Sequence, residues 1–268
     1  MYPAPFNYHR ANSLNEAIDM SCDIGEGARF LAGGQSLLVL LKMRFDEPSD
    51  LVDIGRIPHI DQIDDSGNEV TVGALATHRR IGASSLAQSI PIIGDCANGI
   101  ADNQVRSRGT IGGSLACGDP NCDWPVLLLT LDAQIDCQGP GGERSLDING
   151  FVVDYFQTAL APDEIVKGIR FNKPVAGSGG AYCGFKRCAP AYPTVSVGVQ
   201  LSMTDQQVTS ARVAVGSAGP FAYRAREAEA ELEGQILSAD QVEKAAEAAV
   251  ATLDPIEDQR GSADFKRR

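Results

Sequence analysis

The stretch VRSRGTIGGSLACGDPNCDWP, Val105 to Pro125, sets four glycines, two arginines, two cysteines and two aspartates in a span long enough for an ordinary helix. Glycine adopts positive φ at little cost and lets a ligand reach main-chain N–H groups with no Cβ in the way. Its centre, Thr110-Ile111-Gly112-Gly113-Ser114, has a counterpart near the amino terminus in Ala32-Gly33-Gly34-Gln35-Ser36, followed by Leu37. Each joins two glycines to a hydroxyl, and successive N–H groups at a turn or a helix start form a concavity that suits phosphate oxygens. One such pair is an ordinary tight turn. Two in one chain point to a diphosphate ligand, for which the backbone at Gly112-Gly113 is expected to lie bare. Neither fits G-x-G-x-x-G or G-x-x-x-x-G-K-S/T, so a nucleotide bound here is held in another way. Asp119 and Asp123 close the stretch, and a carboxylate that accepts two donors is what a ribose diol requires. Asp123 has a second reading, which the local sequence by itself favours: a cap on the helix that opens at Trp124-Pro125.

Composition narrows the function classes. The chain has 268 residues, 43% hydrophobic and 22% charged, as a globular protein of one large or two medium domains does. Lys+Arg 23 against Asp+Glu 35 gives a net charge of −12, which argues against a nucleic acid or an anionic membrane held by long-range field alone. The apolar runs PVLLLTLDA and SLLVLL fall far short of the roughly 20 residues that span a bilayer. The start, MYPAPFNYHRANS, carries no apolar signal core, so the chain reads as cytoplasmic. Seven cysteines, an odd number without a framework pattern, read as reduced thiols. Cys117 with Cys122, and Cys183 with Cys188, are spaced C-x4-C, looser than zinc pairs and without the further cysteines of an iron–sulfur site. His9, His59 and His78 stand far apart, so no metal site is expected on this chain.

Along the chain, Ser13 and Glu16 form a capping box before a short helix. A strand runs into Ala32, Gly33-Gly34 turn, and Ser36 is placed to cap the helix that follows; DLVDIG supplies another strand. From about Asn68, EVTVGALAT alternates as a strand and HRRIGASSLAQSIPIIGDCANGIA reads as helical with a break at Pro91. Further on, WPVLLLTLD reads as a short helix, AQIDCQ and EIVKGIRF as strands, and GPGGER as the turn between them. Pro and Gly cluster at Asn172 to Tyr182, a domain border. Beyond it come three strands, AYCGFKR, TVSVGVQLSM and QVTSARVAVGSAG. Two helices follow, Arg224 to Glu233 stopped by Gly234, and one capped by Ser238 with Gln241 that runs to Asp254-Pro255. No repeats or low-complexity tracts occur. GGSLA loosely matches a nucleophile elbow, but no histidine follows His78, so Ser114 has no downstream base.

The segments AGGQSLLVLLKMRF, VRSRGTIGGSLACGDPNCDWP and FKRCAPAYPTVSVGV resemble, in order and spacing, the signature segments of the FAD-binding medium subunit of molybdenum hydroxylases of the xanthine dehydrogenase and carbon monoxide dehydrogenase type. The likeness covers nearly the whole chain and includes DPIEDQRGSADFKRR. It implies an α+β fold: a two-lobed FAD-binding domain (PCMH/vanillyl-alcohol-oxidase-like) over residues 1–172, with lobes of about 1–58 and 59–172. A small α+β domain of the CO dehydrogenase flavoprotein C-terminal kind follows over 173–268. It implies that Ala32, Gly33, Gly34, Gln35, Ser36 and Leu37 form the first pyrophosphate loop and Thr110, Ile111, Gly112, Gly113 and Ser114 the second. Asp123 then binds the adenosine ribose with Asp119 beside it, and Lys186 and Tyr192 lie near the flavin ring. Lys186 also reads as an exposed strand lysine, and Tyr192 as plain packing.

The implied activity is electron transfer, with no catalytic acid or base on this chain. Electrons pass from 2Fe-2S clusters of a small subunit to FAD here and on to an external acceptor, while a large subunit holds the molybdopterin cofactor. The implied assembly is a dimer of heterotrimers, without nucleic acid or membrane insertion. A stand-alone FAD-dependent oxidoreductase and a noncatalytic nucleotide-binding subunit are the alternatives. The sequence departs from the family where Cys117 replaces a common histidine, Cys188 an arginine and Ala191 an acid. It also stops at Arg268, where relatives continue into a further helix, as a short or truncated member would.

Overall fold

The computed structural model describes residues 2–251 and 253–268. Lobe one is a three-stranded parallel sheet with crossover helices: β1 (Asn7–Arg10), α1 (Leu14–Ile24), β2 (Ala28–Leu31), α2 (Leu37–Met43) and β3 (Asp50–Asp53), in the order β1-β3-β2. Ser13 caps α1 by accepting the Glu16 N–H at 3.1 Å. The Glu16 carboxylate reaches the Asn12 N–H at 2.7 Å, one residue before the position a full capping box would use. Ala17, Ile18, Val52 and Ile54 form the small core. The strand expected into Ala32 ends at Leu31. Ser36 stands at the N-cap of α2 but in helical geometry, φ −96° and ψ −52°, without a side-chain cap bond.

Lobe two begins with β4 (Ile63–Asp64) and β5 (Glu69–Gly73). Six helices follow: α3 (His78–Gly82), α4 (Ser85–Ser89), α5 (Pro91–Gly99), α6 (Asn103–Arg108), α7 (Ile111–Cys117) and α8 (Asp123–Thr130). The chain returns through β6 (Gln134–Gly139), β7 (Gly142–Asp147), the β8–β9 ribbon (Val152–Asp154, Gln157–Thr158) and β10 (Ile165–Asn172). The main sheet is antiparallel, ordered β4-β5-β10-β6-β7. Its alternation turns Val70, Val72, Ile135, Cys137, Ile169 and Phe171 toward the helices and leaves Glu69, Asp136 and Arg170 on the outer face. The helical stretch around Pro91 is three short helices, with Pro91 opening α5, where its missing N–H costs nothing. Of GPGGER, only Pro140 and Gly141 turn. Gly142 onward is strand β7, exposed and so without an apolar alternation to announce it.

The glycine-rich stretch is also helical. The Thr110 hydroxyl caps α7 by accepting the Gly113 N–H at 3.1 Å, and Gly118 at φ +62° ends it. Helix α8 is buried on all sides, Asp123 through Thr130.

The carboxy-terminal unit is an antiparallel sheet of β11 (Ser178–Phe185), β12 (Val195–Thr204), β13 (Gln207–Gly216) and β14 (Tyr223–Arg224), with helices α9 (Arg226–Leu232), α10 (Ala239–Ala251) and α11 (Ala263–Arg267). One face packs Val208, Ala211, Val213 and Val215 on Ala228, Leu232 and Ala245. The other lies on α8, so closely that a Cβ on Gly216 would overlap Val126 Cγ2. Arg224 locks this contact. It is buried, ion-paired with Glu229, and its Nη1 reaches Asp132, just past α8, at 2.6 Å and the Leu129 carbonyl in the last turn of α8 at 3.4 Å. Helix α11 went unanticipated because five residues carry no period.

Candidate site: two glycine loops and a buried carboxylate

The two glycine loops touch. Gly34 sits at φ +75°, the left-handed region that favours glycine. A Cβ on Gly33 would overlap the Arg108 carbonyl oxygen and come within 2.8 Å of its carbonyl carbon, so Gly33 is bare because the second loop's backbone occupies that space. The turn leaves the N–H groups of Gly33, Gly34, Gln35, Ser36 and Leu37 without an acceptor among the described residues. Intrachain bonds in this turn use its carbonyls: Gln35 Nε2 donates to Gly33 O at 3.2 Å and the Leu38 N–H to Gly34 O at 3.1 Å. Five consecutive free donors make an anion cradle.

The second loop differs from expectation. Its N–H groups are committed within the protein: Ile111 to Ala76 O at 3.1 Å, Gly112 to Ala74 O at 2.9 Å, Gly113 to the Thr110 hydroxyl and Ser114 to Thr110 O at 3.0 Å. Gly112 is buried, and its Cβ would lie 2.5 Å from that of Ala74. The missing side chain at Gly112 therefore serves close packing and not an open backbone. What the loop turns toward Ala32 is Gly113, whose Cβ would lie 3.7 Å from the Ala32 Cβ. The Ser36 hydroxyl meets the Cys117 thiol, and burial pushes that thiol up and keeps it protonated. Asp119 follows: its Oδ1 accepts the backbone N–H and the Nδ2 of Asn121, each at 2.9 Å. The Tyr192 hydroxyl faces Asp119 although the residue is 42% exposed. Burial first, then the Asp119 carboxylate, pushes that phenol up.

Asp123 does not cap α8. Cys122 holds the N-cap position, and Asp123 is the first helical residue, 4% exposed. Its Oδ1 accepts the Tyr182 hydroxyl at 2.6 Å and lies 3.6 Å from Lys186 Nζ. Burial raises the Asp123 pKa, opposed by Lys186 and Tyr182. Lys186 is not an exposed strand lysine: its amine also donates to the Gly99 carbonyl at 2.7 Å. It borders a cleft of about 500 Å³ lined by Asp95, Asn98, Asp102, Arg106 and Pro190.

The residues singled out in the sequence thus fall into two groups. Gly33 to Leu37, Gly113, Ser114, Asp119 and Tyr192 border one another; Asp123 and Lys186 join Tyr182 in a second cluster between α8 and β11. Tyr182 was not singled out in the sequence; the alternation of AYCGFKR, which puts it on one face with Gly184 and Lys186, is the signal that marks it.

His78 has a structural task. Nδ1 accepts the Trp124 indole N–H at 2.9 Å, which places the imidazole proton on Nε2, and a Cβ on Gly109 would lie 2.6 Å from that atom. Burial, with Arg106 adding to it, pushes the His78 pKa down to about 4. Among the described residues no group of three or more His, Cys, Asp or Glu side chains could hold a metal ion. None of the described helices is long and apolar enough to cross a membrane.

A parallel lobe-one sheet, an antiparallel lobe-two sheet and a carboxy-terminal sheet, with two touching glycine loops and a row of free N–H groups, define a protein built to hold an anionic ligand. Residues 4–174 match the family "FAD binding domain in molybdopterin dehydrogenase" and residues 180–268 the "CO dehydrogenase flavoprotein C-terminal domain". The chain belongs to this family of oxidoreductase subunits. It is 36% identical to the carbon monoxide dehydrogenase medium chain of Hydrogenophaga pseudoflava, over 99% of this chain and 93% of that one. It is 37% identical to the 6-hydroxypseudooxynicotine dehydrogenase complex subunit alpha of Paenarthrobacter nicotinovorans, over 99% and 90%. Among solved structures, carbon monoxide dehydrogenase from Hydrogenophaga pseudoflava superposes with a TM-score of 0.97 at 38% identity, covering 100% of this chain and 93% of that one. Quinoline 2-oxidoreductase from Pseudomonas putida 86 superposes at 0.94 and 32%, covering 100% and 93%.

Proposed function

We propose that this chain is the FAD-carrying electron-transfer subunit of a cytoplasmic molybdenum hydroxylase. It works beside a large molybdopterin-binding subunit and a small 2Fe-2S subunit, in a dimer of heterotrimers. The observation that carries the reading is the row of unpartnered N–H groups from Gly33 to Leu37. A diphosphate supplies the acceptors those donors lack, and the Gly33–Arg108 contact brings the second loop alongside. Bound FAD supplies a carrier that takes up electrons singly and releases them in pairs.

The chain's own residues bind and tune. Gly33 to Leu37 hold the phosphate oxygens by N–H donation, with the Ser36 and Ser114 hydroxyls, Gly113 and neighbouring Ala32 completing the wall, while Thr110, Ile111 and Gly112 support it from within the core. Asp119 and Asp123 are the acceptors for a ribose diol. Lys186 places a positive charge where reduced flavin is anionic, and Tyr192 covers one face of the ring.

The test is a visible absorption spectrum of the natively purified protein, with a denaturing gel of the same sample. Flavin bands, iron–sulfur absorbance and two further polypeptides are expected. A colourless protein that added FAD does not recolour overturns the reading, and flavin on a lone chain selects the stand-alone enzyme.

A further inference from the structure

The carboxy-terminal tail reaches the candidate site through a single arginine. Arg260 Nη2 donates to Asn121 Oδ1 at 2.7 Å, across 139 residues of sequence. Asn121 passes this on: its own N–H and Nδ2 both donate to Asp119 Oδ1, the carboxylate that the Tyr192 hydroxyl faces. A second path runs along the backbone. The Thr194 hydroxyl, two residues beyond Tyr192, donates to the Arg260 carbonyl at 3.4 Å, and a Cβ on Gly261 would lie 3.4 Å from Thr194 Cγ2. The arginine is itself held fast. Asp258 accepts its N–H at 2.7 Å and its Nη2 at 2.9 Å, and Asp258 is paired with the buried Lys266 at 3.0 Å. Arg260 Nε is buried with no acceptor among the described residues, so the guanidinium acts through Nη2.

We propose that Arg260 is a positioning residue for the flavin site: through Asn121 and Asp119 on one side and Thr194 on the other, it fixes the Tyr192 ring. This rests on the reading that Tyr192 covers the flavin. Nη2 alone, with its two hydrogens, bridges Asn121 and Asp258 at once, so one terminal nitrogen of the guanidinium joins the tail to the loop. Without it, Asn121 Oδ1 loses its charged donor, the Asn121 amide that donates to Asp119 is no longer braced, Asp119 keeps only the Asn121 backbone N–H, and Tyr192 leaves the site part of the time.

The experiment uses the full chain in two states. In the flavin-free chain labelled with 3-fluorotyrosine, the Tyr192 resonance is assigned through Tyr192→Phe and followed by fluorine NMR. In the FAD-saturated chain, flavin emission is measured, because a tyrosine stacked on the ring quenches it. Arg260→Met and Asn121→Ala are expected to move the Tyr192 resonance toward that of the exposed Tyr2. Emission is expected to rise about fivefold, the population change that follows loss of one ordinary hydrogen bond. Arg260→Lys restores part of both signals. Ser262→Ala, which removes the cap of α11 but touches no member of the relay, leaves both unchanged. A Tyr192 resonance unmoved in Arg260→Met and Asn121→Ala overturns the proposal, as does an equal response to Ser262→Ala. A resonance that moves while emission stays constant leaves the relay intact but removes Tyr192 from the flavin, overturning the proposal through the reading beneath it.

Discussion

Acid should loosen this protein through His78. The imidazole is buried and neutral, its Nδ1 occupied by the Trp124 N–H and its Nε2 set under Gly109 at the entry to the second loop. A second proton on Nδ1 would put two donors face to face beside Arg106. Its folded pKa is pushed down to about 4 from 6.5, so the unfolded chain binds the proton first. The stability this group contributes is whole above the unfolded value and is lost as pH falls from about 6.5 toward about 4, at roughly 1.4 kcal/mol per pH unit. Over the window the loss sums to about 3 kcal/mol, a fall in Tm of roughly 6–12 °C for a chain of this size.

The assay is thermal and urea unfolding of the flavin-free chain at a series of pH values, wild type against His78→Asn. Asparagine keeps an oxygen where Nδ1 accepts the indole N–H but does not titrate, so the variant should lose most of the slope between pH 6.5 and 4. An identical slope in the two proteins would refute the assignment of the proton deficit to His78.

Other outcomes follow from the same geometry. Gly33→Ala forces its Cβ into the Arg108 carbonyl and should weaken FAD binding about 100-fold, measured by flavin titration; unchanged affinity would mean the loops need not touch. Asp123→Asn leaves Lys186 without its carboxylate and should lower the stability of the flavin-free chain by about 3 kcal/mol, with Lys186→Met in the same background recovering more than half. Additive losses would show the pair to be uncoupled. Arg224→Met strands Glu229 in the core and should cost about 3–5 kcal/mol in urea unfolding, whereas a loss below about 1 kcal/mol would show the bridge to be idle.

Three strands and two helices of the carboxy-terminal unit were legible because their apolar positions keep a period, as in TVSVGVQLSM, whereas the short β14 and α11 were not. Strand β7 and the β8–β9 ribbon were not, since exposed residues carry no period. Both glycine loops could be found from their pattern, but the two kinds of glycine within them could not be told apart. Gly34 answers to its own φ, while Gly33 and Gly112 answer to Arg108 and Ala74, which are neighbours only in space. Asp123 misled for a related reason. Aspartate before a helix usually caps it, and nothing local says that Tyr182, 59 residues on, takes up its carboxylate instead.

Helix α8 belongs by chain order to the second lobe, yet the carboxy-terminal sheet closes over it and Arg224 clamps its end. The Pro- and Gly-rich border after β10 therefore separates two stretches of sequence but not two units of cooperativity. Cutting the gene there would leave one fragment with an uncovered apolar helix and the other with a sheet missing half its core. The whole chain should melt in a single calorimetric transition, and a cofactor seated between the loops would be bound to one thermodynamic body.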